Sequence, residues 1–239
     1  QVLLRGAVSD TRATQEHLPL PAPTPGTRRL DVLVLLLCAA LPWLAGADSY
    51  ALVLGTDLCV AVLFAASLHL LLGPAGLHSF GHAAWFGLGA YAAALLAPQL
   101  GGSVLGSVTL AACLSAVVAM PLARVALRLS GVYLAMLTLA FAQIVWSVCF
   151  QWDEVTGGSN GLTGVWPAAP WDDRVSFYWL CLALTAGVLA TLRHGLLSPL
   201  GFALRAQRDA PWRAQALGID GLRVQWLAFV ASAWVAGLA

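Results

Sequence analysis

Long apolar runs alternate along this chain with short polar connections. The runs cover residues 30–47, 50–73, 82–98, 103–123, 131–151 and 176–192, and a further one begins near 224. Crossing about 30 Å of hydrocarbon takes about 20 helical residues. Each run therefore predicts a membrane-spanning helix, with 82–98 short enough to be tilted or interrupted. A bilayer offers the backbone no water, so spanning segments must satisfy their own hydrogen bonds, as helices do. Leu, Ala and Gly dominate the runs, and small residues let such helices pack closely. The pattern predicts an all-α, polytopic membrane protein with about seven spans. A polar tail at 1–29, containing PLPAPTP, precedes a transmembrane domain at 30–239 whose last helix is expected to continue past Ala239. A cleaved signal peptide fits this start poorly: the first long run is followed at once by another, with no convincing cleavage site.

Composition supports a lipid solvent. Of 239 residues, 60% are hydrophobic and 10% charged, against about 25% charged in a soluble domain. Arginine placement then sets the orientation. Arg5, Arg12, Arg28 and Arg29 precede the first span, Arg124 and Arg128 follow the fourth, and Arg193, Arg205, Arg208, Arg213 and Arg223 lie between the sixth and seventh. A cytoplasmic N-terminus puts all of these inside. Only Arg174 falls outside, flanked by Asp153, Glu154, Asp172 and Asp173.

All 12 basic residues are arginine. Without lysine the chain has no Walker A loop and no Schiff-base nucleophile. This bears on Thr156–Gly164, TGGSNGLTG, a stretch of Thr156, Gly157, Gly158, Asn160 and Gly161 that looks like a phosphate cradle. It lies on the expected outer face, next to two carboxylates. Its glycines fit a tight reversal at positive φ, and Asn160 fits a cap or a left-handed turn. A shaped outer loop is the better reading. The cysteines (Cys38, Cys59, Cys113, Cys149, Cys181) all sit in apolar runs without metal-ligand spacing. Near-neutral net charge gives no reason to expect nucleic acid.

Asp57 and His69 lie within the second run, where ionisable groups are costly and face protein or water. A proton relay and a snorkelling or hydrogen-bonded role are both open. In residues 73–96, Gly73, Pro74, Gly76 and Gly81 break the helix, and His78, Ser79 and His82 supply polar groups before the third span. The small pairs Ala83/Gly87 and Gly89/Ala93 suit close helix approach. A broken, glycine-rich lead into a small-residue helix fits a transport pathway, as it fits an ordinary turn with a packing face. His78 and His82, four apart, lack a third ligand for a metal. Residues 193–223 form the longest inner segment. Ser198-Pro199 reads as a helix start, Pro211 as an interruption and Gly218 as an end. Its arginines alternate with apolar and small residues, which suits docking into a protein groove better than lying on lipid.

Four stretches in register carry a family resemblance: SLHLLLGPAGLHSFGHAAWFGLGAYAAALL, LRLSGVYLAMLTLAFAQIV, TGGSNGLTGV and SPLGFALRAQRDAPWRAQALGID. Together they resemble the membrane permease subunits of branched-chain amino acid ABC importers, in particular LivM-type subunits, from about residue 30 onward. The resemblance implies a multi-pass protein of the bacterial plasma (inner) membrane and no enzymatic activity or cofactor of its own. Its implied partners are a second homologous permease, two cytoplasmic ABC ATPase subunits and an external substrate-binding protein. It implies that Ser198–Asp220 is the ATPase coupling loop, with Arg205, Arg208, Ala214, Ala216, Leu217 and Gly218 in it. It also implies that Gly73, Gly76, Ser79, Gly81, His82 and Gly87 line or brace the path. The sequence departs from the family pattern at His69, where asparagine is common, at Pro74 for tyrosine, and at His78 for glutamine. Urea and short-chain amide permeases belong to the same superfamily and are the alternative. An ion-coupled secondary transporter using Asp57 and His69 is the rival class.

Overall fold

A computed structural model of the chain describes residues 25–45, 50–129, 131–164 and 170–239, with the side chains of 25–32, 44 and 45 left aside. Most of the expected tail, with Arg5 and Arg12, lies outside the described residues, as do Ser130 and 165–169 of the outer loop. The described residues form helices and connections with no strand, so the all-α expectation holds. The chain divides into two compact units, 1–40 and 41–239. Helix α1 (Pro25–Ala45) begins in the first and ends in the second; it is already under way five residues before the expected span, and Leu33–Leu37 are exposed.

The second unit carries the remaining helices: α2 (Tyr50–Leu72), α3 (Ala83–Leu96), α4 (Val104–Ala126), α5 (Val132–Gln151), the single turn α6 (Asp153–Thr156), α7 (Arg174–Leu197), α8 (Pro199–Asp209), α9 (Pro211–Ala216) and α10 (Gly221–Leu238). Five of them, α2, α4, α5, α7 and α10, are long and apolar enough to cross a membrane. Helix α3 has 14 residues, about 21 Å at 1.5 Å each, too short to cross alone.

Helix α10 is the hub, packed on α2, α3, α4 and α8. Lipid tails are as apolar as leucine, so these helices gain from close packing and hydrogen bonds rather than from hiding oily surface. The contacts follow suit. The buried face of α4 is a row of small residues at every fourth position, Ser107, Ala111, Ser115, Ala119 and Ala123. At the crossing of α3, α4 and α10, a Cβ on Gly89 would run into the backbone of Gly237, and one on Gly237 into Ser115. Hydroxyls tie the seam: Ser232 Oγ donates to the Ser67 carbonyl of α2 (2.6 Å) and Ser115 Oγ to the Trp85 carbonyl of α3 (3.3 Å). Around Trp85 and Phe229, which meet edge to face, lie Leu71, Leu134 and Leu204 from three further helices, α2, α5 and α8. Pro199 and Pro211 each start a helix at a position where a missing N–H costs nothing.

Candidate translocation path and coupling loop

The break after α2 is held from two sides. Gly73 N–H still donates to the His69 carbonyl (2.8 Å), but Gly76 turns to φ +65° and the chain leaves the helix. The Arg208 side chain of α8 lies against Gly76 where a Cβ would stand, and its Nη1 donates to the Gly73 carbonyl at 2.6 Å. Arg208 also donates through Nε to Asp209 Oδ1 at 2.7 Å. That bond raises the guanidinium further above its ordinary value and holds the Asp209 carboxyl below its own. The structure thus joins two stretches, 73–82 and 198–220, that are separate in the sequence.

Further along, the break rests on α5 and α2. Phe80 N–H donates to Thr138 Oγ1 (3.1 Å), and Gly81 sits so close to the Thr138 carbonyl that no side chain fits between them. His82 is buried, its Nε2 2.7 Å from Ser67 Oγ and its ring 5.4 Å from that of Phe64. Among the described residues, His82 Nδ1 and the buried Ser79 hydroxyl have no partner. His78 is exposed, so the two histidines occupy different environments.

Beyond His82, α3 and α5 diverge around a cavity of about 400 Å³. Phe80, Leu139, Trp146 and Phe150 make its walls apolar, and Tyr91 and Gln143 bring polar groups. Gly87 opens onto this space: a Cβ there would meet nothing within 4 Å. Gly87 therefore does not serve as the helix contact its spacing with Ala83 suggested, whereas Gly89 does, against Gly237. Gln143 and Trp146 went unnoticed in the sequence, because an α5 rich in aromatics reads as a lipid-facing span. Trp146 stacks on Phe150 at 5.3 Å within the helix.

Gly158 lines the same cavity, so the outer loop reaches one end of it. Buried Thr156 pins the loop to α5, donating to the Cys149 carbonyl at 2.5 Å, with the Trp152 carbonyl at 2.8 Å. Gly157, Gly158, Gly161 and Gly164 take positive φ, at +72°, +53°, +66° and +82°. Asn160 does not: among the described residues no non-glycine has positive φ, so its expected left-handed turn is corrected. It sits exposed at the end of a 3₁₀ turn, Gly158–Asn160, and its N–H donates to the Gly157 carbonyl. The N–H groups of Gly157, Gly158 and Gly161 are also used within the loop, by Asp153, Thr156 and Gly158. A phosphate cradle needs such groups free and convergent.

The inner segment forms α8 and α9 as the punctuation predicted. Gly201, Leu204 and Ala214 are buried, while Arg205 lies over the Phe202 ring at 5.9 Å. Helix α9 closes in a Schellman motif: Gly218, at φ +83°, donates to Gln215, and Ile219 reaches back to Ala214 at 3.0 Å. This closure leaves Ala216 and Gly218 exposed and projects Leu217, 80% exposed, beside Trp212 at 83%. Asp57 and His69 are both exposed on α2.

The family model for the branched-chain amino acid transport system permease component matches residues 50–239. The high-affinity branched-chain amino acid transport system permease protein LivM of Salmonella typhimurium is 29% identical over 234 residues, 87% of this chain. LivM of Escherichia coli K12 is likewise 29% identical, over 235 residues. The chain spans only 55% of the length of either relative. No solved structure matches at a significant level.

Proposed function

This chain belongs to the permease-component family of branched-chain amino acid transport systems, and on that premise we propose that it forms one wall of the path by which an ATP-driven importer moves branched aliphatic amino acids across the inner membrane. The observation that carries the solute assignment is the cavity between α3 and α5. A branched side chain needs an apolar slot with few polar groups, and Phe80, Leu139 and Trp146 make one around the open face of Gly87. Urea, small and polar, would find few partners there, which favours the aliphatic solute over the amide alternative. Ser79, Gly81 and His82 brace the inner side of this slot, and Gly158 reaches it from the loop side.

In this reading the basic end of the molecule is cytoplasmic. Two ATPase subunits supply the energy, and one docks on α8 and α9, where Trp212 and Leu217 project and Ala216 and Gly218 leave room. A second permease faces this one, and a binding protein docks on the outer loops. Arg208 carries movement of the docked segment to Gly73 and Gly76, and so to the floor of the path.

The assignment is tested by uptake of leucine, isoleucine, valine and urea into vesicles holding the complete transporter, with Gly87→Ala and Gly87→Leu variants. Alanine, with room around it, is expected to preserve uptake. Leucine is expected to fill the slot and lower branched-chain uptake at least tenfold with assembly intact. Full uptake by the leucine variant would remove the cavity from the path. Wild-type uptake of urea but not of leucine would overturn the solute class, and uptake without any ATPase would favour the ion-coupled rival.

A further inference from the structure

The C-terminal end of α4 meets the start of α10 around a concavity of about 490 Å³ lined by Arg124, Arg128 and Arg223. One carboxylate, Asp220, shares it and is already engaged. Its Oδ1 accepts from the Arg223 N–H (3.2 Å) as the cap of α10, and its Oδ2 pairs with Arg223 Nε at 2.8 Å. Arg124 and Arg128 make no ion pair among the described residues. The carbonyl end of α4 offers them about half a negative charge, which leaves the site well short of neutral. One side of the concavity is fixed by Trp226, whose indole Nε1 donates to the Met120 carbonyl at 3.0 Å. Leu127 and Leu222 share the lining with the guanidiniums, and Leu222 is 60% exposed.

We propose that this concavity is a binding site for the phosphate of an anionic phospholipid. Arginine forks match phosphate oxygens with paired N–H groups, and basic pockets between spanning helices on the cytoplasmic side hold anionic headgroups. A free phosphate would satisfy the guanidiniums but give the adjoining Leu127 and Leu222 nothing to pack against. A lipid satisfies both, its phosphate at Arg124 and Arg128 and its chains along the apolar flank. Trp226 in the lining suits the interfacial depth this requires, since indole rings are favoured at the headgroup level. An acidic protein surface is the competing occupant, but nothing acidic needs the exposed leucine beside the charges. The site joins α4 to α10, the most extensive helix pair of the fold, so an occupied site braces the hub.

The test is native mass spectrometry of the complete transporter, delipidated and then titrated with dioleoyl phosphatidylglycerol, dioleoyl phosphatidylcholine or inorganic phosphate. Wild type is expected to retain phosphatidylglycerol over phosphatidylcholine, and the paired Arg124→Gln, Arg128→Gln variant to lose that retention by roughly twentyfold. The paired lysine variant keeps the charge and is expected to retain most of the binding. As a check independent of variant folding, a photoactivatable phosphatidylglycerol on wild type is expected to label peptides from residues 120–129 and 220–226. Equal retention of both lipids, glutamine variants that bind as wild type, or labelling elsewhere would overturn the proposal. Competition by inorganic phosphate without any lipid preference would make it a free-anion site. Loss of ATPase subunits from the glutamine variant with lipid binding unchanged would make it a protein contact.

Discussion

Ser67 has a single hydroxyl proton, and the Phe64 carbonyl at 2.6 Å is there to accept it. His82 Nε2, 2.7 Å from the same oxygen, is then the donor, so a neutral ring carries its proton on Nε2 and an acceptor lone pair on Nδ1. Ser67→Ala leaves that buried N–H unpaired and is expected to cost about 1–2 kcal/mol, read as a lower thermal midpoint in detergent. An unchanged midpoint would mean that His82 finds another partner. The glycines make a sharper contrast at the same scale. Gly89→Ala drives a methyl into the Gly237 backbone and Gly81→Ala into the Thr138 carbonyl, whereas Gly87→Ala enters open space. The first two are expected to lower folded yield severely and the third to leave it near wild type, by size-exclusion chromatography of detergent extracts. In the sequence, Gly87 and Gly89 are indistinguishable, two small residues with a small partner four positions away. Only the neighbour across the gap separates them, and no spacing within one helix encodes that.

At the scale of elements, punctuation carried most of the fold. Proline and serine mark the starts of α8 and α9, and Gly218 marks an end that needs a left-handed residue. The spans follow apolar run lengths to within a few residues, because lipid solvent leaves a buried backbone little choice but helix. The cross-links between elements were not legible. Arg208 reads as one more basic residue on an amphipathic helix, yet its guanidinium binds the Gly73 carbonyl 135 residues away in sequence. On the proposed reading, this contact divides the segment between two roles. Trp212 and Leu217 face outward and fit docking, while Arg208 faces the break after α2 and fits transmission. Trp212→Asp with Leu217→Asp is expected to release the ATPase subunits in a pull-down from detergent. Arg208→Ala is expected to keep them bound but to lower uptake per ATP hydrolysed several-fold. Arg208→Lys is expected to recover only part of that coupling, since an ammonium lacks the fork that serves Gly73 and Asp209 together. Loss of ATPase binding in Arg208→Ala would return Arg208 to the docking surface.

Across the whole molecule the charges sort by end. Arg208 meets the end of α2, Arg124 and Arg128 meet Arg223 at the junction of α4 and α10, and Arg193 closes α7 before α8 begins. The loop after α5 carries Asp153 and Glu154, with Asp172 and Asp173 just ahead of α7. Positive charge is retained on the cytoplasmic side of a membrane during insertion, so the basic end should face the cytoplasm and the Gly158 end the exterior. Because α7, which lies between them, is long and apolar enough to cross a membrane, Ser159 and Gln215 should lie on opposite sides. In a cysteine-free background, Ser159→Cys is expected to react with a membrane-impermeant maleimide on intact cells whose outer membrane has been made permeable. Gln215→Cys is expected to react only after the inner membrane is opened. Both positions are exposed, so burial would not explain a failure to react. The reverse pattern would invert the orientation and move the docking surface of α9 away from any source of ATP. It would overturn the importer reading at its base, whatever the cavity between α3 and α5 binds.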